Sequence, residues 1–344
     1  MASSFISALY GELARQRRLW YTHHPDARRR LARPVISIGS LTVGGSGKTP
    51  VVAHVAKLLL ALGERPAILS RGYDRQDPAD GVVVVRDAER VRADLARAGD
   101  EPLMLARALA GASVLVSPDR YLAGRLAEAR FGCSVHLLDD GFQHVVLERD
   151  LDLLVFDARD LDDVRLLPAG RMRERLDTAS LADAVLVAGA SESEVEQIGS
   201  RLGLPRAFRV SRALGVPRTA DPAGAVMTVP SDTRVLAVAG IAHPNWFFDD
   251  LKAEGFDVVR TLTFRDHHPF SPRDVTQITR AARAERVDLV LTTEKDLVRL
   301  LPHQPIGVPL AWIPLNVTVE PAVDFRAWLT ERLSSARAMP GTSP

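Results

Sequence analysis

Residues 34–50 read PVISIGSLTVGGSGKTP: a short apolar run, a glycine-rich turn, then Gly47-Lys48-Thr49 opening an amphipathic helix. This is the build of a phosphate-binding loop. Gly44, Gly45 and Gly47 let the backbone curl with its N–H groups directed at phosphate oxygens, and Thr42, Val43 and Ser46 complete the cradle. The helix that follows adds the positive end of its dipole. Lys48 offers a cation for β- and γ-phosphates, and Thr49 a hydroxyl for Mg²⁺. The strict pattern asks for glycine five residues before Gly47, where this chain has Thr42. The competing reading, a glycine-rich turn with a chance Lys-Thr, has to ignore the strand before it and the helix after it.

A second constellation lies at 135–144, VHLLDDGFQH. An apolar strand ending in Asp139 places a carboxylate at the carboxyl edge of a sheet, where open α/β sheets bind ligands. That is the place of the acidic residue that completes a Mg²⁺ site opposite a phosphate loop. Asp140 beside it is left for bound water or substrate; the plainer reading is that the pair only makes a turn. Two further groupings are ambiguous. Gly99-Asp100-Glu101-Pro102 is fully explained as a helix start with an acidic first turn. Phe264-Arg265-Asp266-His267-His268-Pro269 could be a metal site, a base with its orienting partner, or a polar loop, and composition favours the loop. Zinc is not expected, because adjacent histidines rarely reach one ion and no further His/Cys spacing accompanies them.

These residues need a rigid frame, and the pattern supplies one. Apolar runs at 66–70, 81–86, 113–116, 135–138, 151–156 and 184–187 read as strands, and 51–62 and 100–110 read as helices. Such alternation indicates a mostly parallel sheet covered by helices, the α/β class of P-loop NTPases. The pattern loosens over 205–230, a Pro/Gly/Arg-containing junction. A second, smaller α/β alternation follows: strands at 234–239, 257–261 and 289–291, helices at 245–254 and 272–285. The expected organisation is an amphipathic helical region at 1–33, a P-loop kinase domain at 34–220, a second α/β domain at 221–330 completing the active-site cleft, and a flexible tail at 331–344.

Composition narrows the class. A hydrophobic content of 46% and a charged content of 25% are those of a globular protein with ample core for 344 residues. A net charge of +1 speaks against a general nucleic-acid binder. Single Cys133 excludes an internal disulfide framework and fits a reducing compartment. No apolar run reaches membrane-spanning length and no signal peptide is evident, so a cytoplasmic body is expected. Charge is uneven, however: residues 1–33 hold seven arginines against Glu12 and Asp26, a net +5. Phe5, Ile6, Leu9, Tyr10, Leu13 and Trp20 recur there at near-helical spacing. That suits either a helix in the interface of an anionic membrane or one packed on the domain with a solvated basic face.

Three readings of the phosphate loop separate on sequence. A signalling GTPase carries Asn/Thr-Lys-x-Asp, whereas Thr293-Glu294-Lys295-Asp296 has its lysine one place late. A partition-type ATPase has lysine just before the Gly-Gly, where this chain has Val43. A kinase needs a base and an acceptor pocket, for which Asp100 and the His267 region are candidates. The nucleotide-switch or partition-type ATPase, acting through partners, stands as the alternative class.

Taken together, PVISIGSLTVGGSGKTP (34–50), ILSRGY (68–73), GDEP (99–102), LLDDGFQH (137–144), LLPAGRMRE (166–174), VAGIAHP (238–244), FRDHHPF (264–270) and TTEKDLVRL (292–300) resemble the tetraacyldisaccharide 4′-kinase family. Ser40 stands where that family usually has Asn, and the N-terminal helix is less apolar than in many members. The resemblance implies an ATP- and Mg²⁺-dependent kinase that phosphorylates the 4′-hydroxyl of a tetraacylated glucosamine disaccharide 1-phosphate, a lipid A precursor. It implies work at the cytoplasmic face of the bacterial inner membrane, with peripheral attachment through the N-terminal helix; a monomer is the expected state. Carried over by position, Lys48 and Thr49 hold phosphates and metal, and Asp139, Asp140 and Glu101 lie at the metal. Asp100 is the general base and His267 its partner. Arg71, Gln143, His144, Arg171 and Glu174 are candidate contacts to substrate or supports of the site.

Overall fold

The computed structural model describes residues 2–73, 75–77, 81–221, 224–230 and 232–338. The chain opens with helix α1 (Ala2–His23), then runs β1 (Val35–Gly39), α2 (Lys48–Ala61), β2 (Pro66–Ser70), β3 (Val83–Arg86), the single turn α3 (Leu95–Ala98) and α4 (Asp100–Ala108). It continues through β4 (Ser113–Val116), α5 (Arg120–Phe131), β5 (Val135–Asp139), β6 (Leu151–Asp157), β7 (Ala184–Ala188), α6 (Glu192–Arg201) and β8 (Ala207–Leu214). A second layer follows: β9 (Arg218–Thr219), β10 (Arg234–Ala239), α7 (Pro244–Ala253), β11 (Asp257–Thr263), α8 (Pro272–Ala284), β12 (Leu289–Thr293), α9 (Glu294–Leu300) and β13 (Leu310–Ile313). The chain closes with β14 (Leu315–Glu320) and α10 (Ala322–Ala338).

The larger sheet has nine strands in the order β14-β8-β7-β6-β1-β5-β2-β4-β3, parallel except for β3 and β14 at its edges. The smaller has five, β11-β10-β12-β13-β9, with only the two-residue β9 antiparallel. β1, β2, β4 and β5 are buried along their whole lengths, as parallel strands covered on both faces must be. Val51, Val52, Val55, Ala56 and Leu59 turn one stripe of α2 onto the sheet. The same core takes in Val319 of β14 and Phe325, Leu329 and Leu333 of α10. Burying each large side chain of this kind is worth roughly 1.5–3 kcal/mol. Local signals set the helix ends: Asp119 accepts from the N–H groups of Tyr121 and Leu122 at the start of α5, and Gly132 in the left-handed region ends it.

The α/β reading with a smaller second sheet matches this architecture, while several details differ from expectation. The supposed junction at 205–230 contains β8, in which Arg209 alternates with Phe208 and Val210 but Arg212 falls on the same face as those two and breaks the apolar pattern. β8 is nonetheless paired on both sides, parallel to β7 and antiparallel to β14. Residues 315–338 belong with the first sheet: the chain leaves the second layer after β13 and returns to bury α10. The expected tail from 331 continues α10 as far as Ala338, held by buried Leu333; residues 339–344 lie outside the described residues.

Phe325 is 1% exposed and packs edge-on against Phe208 with ring centroids 5.1 Å apart. Phe325→Ala is expected to lower the stability of the first layer by about 3–5 kcal/mol in urea unfolding. A loss below about 1 kcal/mol would show that α10 contributes little to this core.

Candidate active site

β1 is central in its sheet, with β5 and β6 on either side, so the loop after β1 opens at the carboxyl edge between them. Gly39 ends the strand where the 140–143 turn crosses it; a Cβ there would lie 2.5 Å from Phe142 Cβ. Past Gly39, Ser40 Oγ donates to Thr42 O at 2.8 Å. Lys48 Nζ donates to Ser46 Oγ at 2.9 Å and Ser40 Oγ at 3.2 Å, and stands 3.5 Å from Asp140 Oδ1. The loop is braced from outside. Arg171 donates to Gly44 O at 2.8 Å and Val43 O at 3.1 Å, and the Val43 N–H donates to Arg171 O at 2.9 Å. From the second layer, His243 comes so near Gly45 (φ 53°) that a Cβ would meet its ring at 2.7 Å. That imidazole stacks on Trp246 at 4.0 Å, and the Arg159 guanidinium lies over the Trp246 ring at 3.8 Å.

Asp139 ends β5 in register with Ile38, beside the loop. It is buried and accepts from Ser70 Oγ at 3.2 Å. Burial, and then the neighbouring Glu101 and Asp140 carboxylates, push its pKa up to about 7. Asp140 takes a left-handed backbone (φ 54°) that turns its carboxylate toward Lys48 and toward Arg173, which donates at 2.6 Å. Burial acts to raise the Asp140 pKa, and those two cations more than offset it.

Across the cleft, Gly99 (φ 82°) delivers Asp100 as the first residue of α4. One oxygen, Oδ1, accepts from the Glu101 N–H at 2.8 Å. The other, Oδ2, lies 2.9 Å from His267 Nδ1 and 3.6 Å from Arg299 Nε, both from the second layer. The Asp100–His267 approach is at ion-pair distance with its angle off the hydrogen-bond line. Catalytic pairs commonly align only when substrate closes the site. Burial works to raise the Asp100 pKa, but His267, Lys295 and Arg299 together hold it below the usual carboxylate range. His267 is shifted upward, chiefly by Asp100. His267 also sits at φ 54°, pinned by its N–H donating to Asp266 Oδ1 at 3.0 Å.

The sequence-selected residues sort into those that meet and those that do not. Val43 to Thr49, Arg71, Asp100, Glu101, Asp139, Asp140, Gln143, His144 and His267 all line one interlayer cavity of about 1800 Å³. His144 is driven down to about 4 by burial and by Arg120, so it is neutral near pH 7. Gln143 Nε2 donates to Ser40 O at 3.1 Å, which ties the acidic turn to the phosphate loop. Thr42 is turned away, its hydroxyl donating to Asp160 at 3.1 Å, and the Val43 N–H is already used, so free N–H groups begin at Gly44. Arg171 supports the loop from the side of a smaller, 270 Å³ cavity. Glu174 gives both oxygens to Arg18 of α1, at 2.7 and 2.8 Å, and is buried there. Glu101 lies 3.2 Å from Lys295.

Sequence reading gave no role at this site to Lys295, met only in setting aside a GTPase motif, or to Asp266, met only in an ambiguous loop; it passed over Arg299 and Arg120, a buried cleft arginine whose pKa burial and Arg71 lower to about 10. The signal for Lys295 and Arg299 was the segment 292–300, noted as part of the family resemblance.

A phosphate loop facing two carboxylates at the next strand's end, with a carboxylate–imidazole pair across a cleft, defines a P-loop phosphotransferase. Residues 3–334 match the family model for LpxK, tetraacyldisaccharide-1-P 4′-kinase. Similar proteins include the tetraacyldisaccharide 4′-kinase of Geobacter metallireducens, 40% identical over 299 residues, covering 86% of this chain and 87% of that protein. That of Nitrobacter hamburgensis is 39% identical over 341 residues, covering 96% and 94%. A crystal structure of LpxK from Aquifex aeolicus, in complex with ATP, superposes with a TM-score of 0.78 at 32% identity, covering 95% of this chain and 97% of that one. The chain belongs to the tetraacyldisaccharide 4′-kinase family.

Glu294, at the start of α9, faces the same cavity, and burial raises its pKa to about 7 against the pull of Lys57, Arg107 and Arg218. Because the folded value lies above the unfolded one, the neutral carboxyl's contribution is full below about pH 4.5 and is lost as pH rises through 7. Glu294→Gln is therefore expected to raise Tm by a few degrees at pH 8 and to match the parent near pH 4.5. A lower Tm at pH 8 would mean that the charged form is the one the fold favours.

Proposed function

We propose that the protein transfers the γ-phosphoryl group of ATP to the 4′-hydroxyl of a tetraacyl glucosamine disaccharide 1-phosphate, forming the 4′-phosphorylated lipid A precursor. The observation that carries this reading is the Asp100–His267 contact of 2.9 Å set opposite Lys48 in one cleft. Asp100 accepts the hydroxyl proton as the sugar oxygen bonds to γ-phosphorus and the bond to the β–γ bridging oxygen breaks, releasing ADP. A positioned carboxylate contributes about 10²–10⁴-fold. Lys48 and the N–H groups of Gly44 to Thr49 meet the charge that spreads over the phosphate oxygens and leaving group.

Thr49, Asp139 and Asp140 fit a Mg²⁺ ion. All their donors are oxygens, Asp140 Oδ1 has no hydrogen-bond partner, and the crowding of carboxylates around Asp139 is what a divalent cation would relieve. No three described His, Cys, Asp or Glu side chains converge on one point by themselves. That agrees with an ion held by one or two carboxylates together with phosphates and water. When bound, Mg²⁺ neutralises phosphate charge. Glu101, paired with Lys295, adds to the acidic field from further out.

The acceptor is a lipid, and α1 is the element suited to reach it. Ser7, Arg17 and Arg18 fix the helix to the 142–174 region, while Phe5, Ile6, Leu9, Leu13 and Trp20 stay exposed and Tyr10 and Arg17 line the cleft. An apolar stripe with flanking arginines suits the interface of an anionic leaflet, here the cytoplasmic face of the inner membrane. No helix among the described residues is long and apolar enough to cross a membrane. Nucleic acid has no place in this reading, and a monomer suffices for it.

The test is transfer of label from γ-labelled ATP to the disaccharide 1-phosphate in detergent micelles. Label is expected in the lipid, about 10²–10⁴-fold slower with Asp100→Ala at little changed KM for ATP, and slower by at least about 10²-fold with Lys48→Ala. ATP hydrolysis without labelled lipid would overturn the reading in favour of a partition-type ATPase. In the same preparation, Leu9→Asp combined with Leu13→Asp is expected to abolish sedimentation with anionic vesicles; unchanged sedimentation would remove α1 as the anchor.

A further inference from the structure

Lys295 is the second residue of α9, and its side chain is 16% exposed. Its ammonium lies 2.9 Å from His267 Nε2, 3.2 Å from Glu101 Oε1 and 3.3 Å from Asp266 Oδ1. An ammonium group has donors and no acceptor. His267 Nε2 must therefore present its lone pair to Lys295, which leaves the ring proton on Nδ1, 2.9 Å from Asp100 Oδ2. The opposite tautomer would set an Nε2–H against the ammonium and an Nδ1 lone pair against a carboxylate, two repulsive contacts in place of two attractive ones.

From this juxtaposition we infer that Lys295 is a positioning residue: it fixes His267 as the tautomer that carries its proton on Nδ1, the nitrogen beside Asp100, and it ties that setting to the junction of the two layers through Glu101. The inference rests on Asp100 as the base of the proposed reaction. Asp266 Oδ2, 3.8 Å from Nε2, would draw a proton there, but the ammonium at 2.9 Å is much the nearer group and opposes a second proton on the ring. Burial works against the Lys295 charge, but Glu101, Asp100 and Asp266 outweigh it and keep the ammonium protonated. Asp266 Oδ1, which also accepts the His267 backbone N–H at 3.0 Å, holds both partners in place. Arg299, on the same helix, lies 3.6 Å from Asp100 Oδ2 and donates to Gly240 O at 2.9 Å and Asp296 Oδ1 at 2.8 Å, so it does not compete for the ring. Tyr73 meets the imidazole by its ring alone, with centroids 5.7 Å apart. Among the described residues Lys295 is the charged group at hydrogen-bond distance from Nε2, with Asp266 Oδ2 further off at 3.8 Å, and its contact with α4 makes the dyad complete only when the two layers are together.

The role differs from that of a simple ion pair. A salt bridge to Glu101 alone would join the layers without setting which ring nitrogen carries the proton. Tautomer control requires a hydrogen-bond donor at Nε2, so Lys295→Arg retains it and Lys295→Met does not.

The test is a pair of readouts on the full-length chain. Long-range ¹⁵N–¹H spectra of [¹⁵N]histidine-labelled protein report which ring nitrogen carries the proton, and His267→Gln identifies the His267 signals. The parent is expected to show Nδ1–H; Lys295→Met is expected to lose that preference, and Lys295→Arg to keep it. In label transfer, Lys295→Met is expected to lower kcat about tenfold or more with KM for ATP within about twofold, and Lys295→Arg to recover most of the loss. An Nε2–H tautomer in the parent would overturn the inference before any variant is made. An unchanged tautomer in Lys295→Met, with kcat lost, would also overturn it and leave Lys295 a structural tie. Failure of the base reading is seen separately, as full turnover in Asp100→Ala, whatever the spectra show.

Discussion

The structure turns on one contact, that of Asp100 with His267. The two side chains come from different layers: Asp100 from the first turn of α4 under the larger sheet, His267 from the loop after β11 in the smaller. A proton acceptor held by an imidazole can exist only where those layers meet, so the position of the second sheet is a condition of the chemistry. Its fixings are concentrated at the same place. α9 packs along α4, Arg299 spans from Asp296 to Gly240 and His268, and Lys295 reaches back to Glu101. At the far side of the cleft His243 leans on the phosphate loop at Gly45. One junction therefore brings Asp100, His267 and the phosphate loop together.

This arrangement costs stability. His267 and Asp140 both hold left-handed backbones that non-glycine residues adopt at an expense on the order of 1 kcal/mol or more. Burial and the crowding of Glu101 and Asp140 together raise the Asp139 pKa to about 7. The larger sheet supplies the offset: fully buried central strands, a continuous core from α2 to α10, and a C-terminal segment that crosses back to complete it. The strain and charge of the site lie at the carboxyl edges of the strands, and the apolar core lies beneath them.

Much of this was legible in the sequence, for physical reasons that differ by region. The phosphate loop and the Asp139-Asp140 turn announce themselves because their chemistry is local: a glycine curl, one lysine, one hydroxyl, a strand ending in carboxylates. Asp100 and His267 were named, yet GDEP alone reads as a helix cap and FRDHHP alone as a polar loop; their pairing is a tertiary fact that spacing does not carry. Lys295 was hidden for the same reason, since a helix-start Thr-Glu-Lys-Asp is unremarkable until its lysine is found against an imidazole 28 positions away. Glu174 and Arg171 illustrate the converse. Polar residues near a motif invite a substrate role, but the fold uses one to anchor α1 and the other to brace the loop. β8 escaped notice because Arg212, on the same face as Phe208 and Val210, breaks the period-two pattern.

The most direct measurement of the central claim is a double-mutant cycle on kcat for phosphoryl transfer, using Asp100→Ala, His267→Ala and the combination. If the two act as one base, the second substitution adds little to the first, and the double variant loses about as much as Asp100→Ala alone. Losses that multiply, with the double variant slower by the product of the two single effects, would contradict the account and separate His267 from the proton transfer.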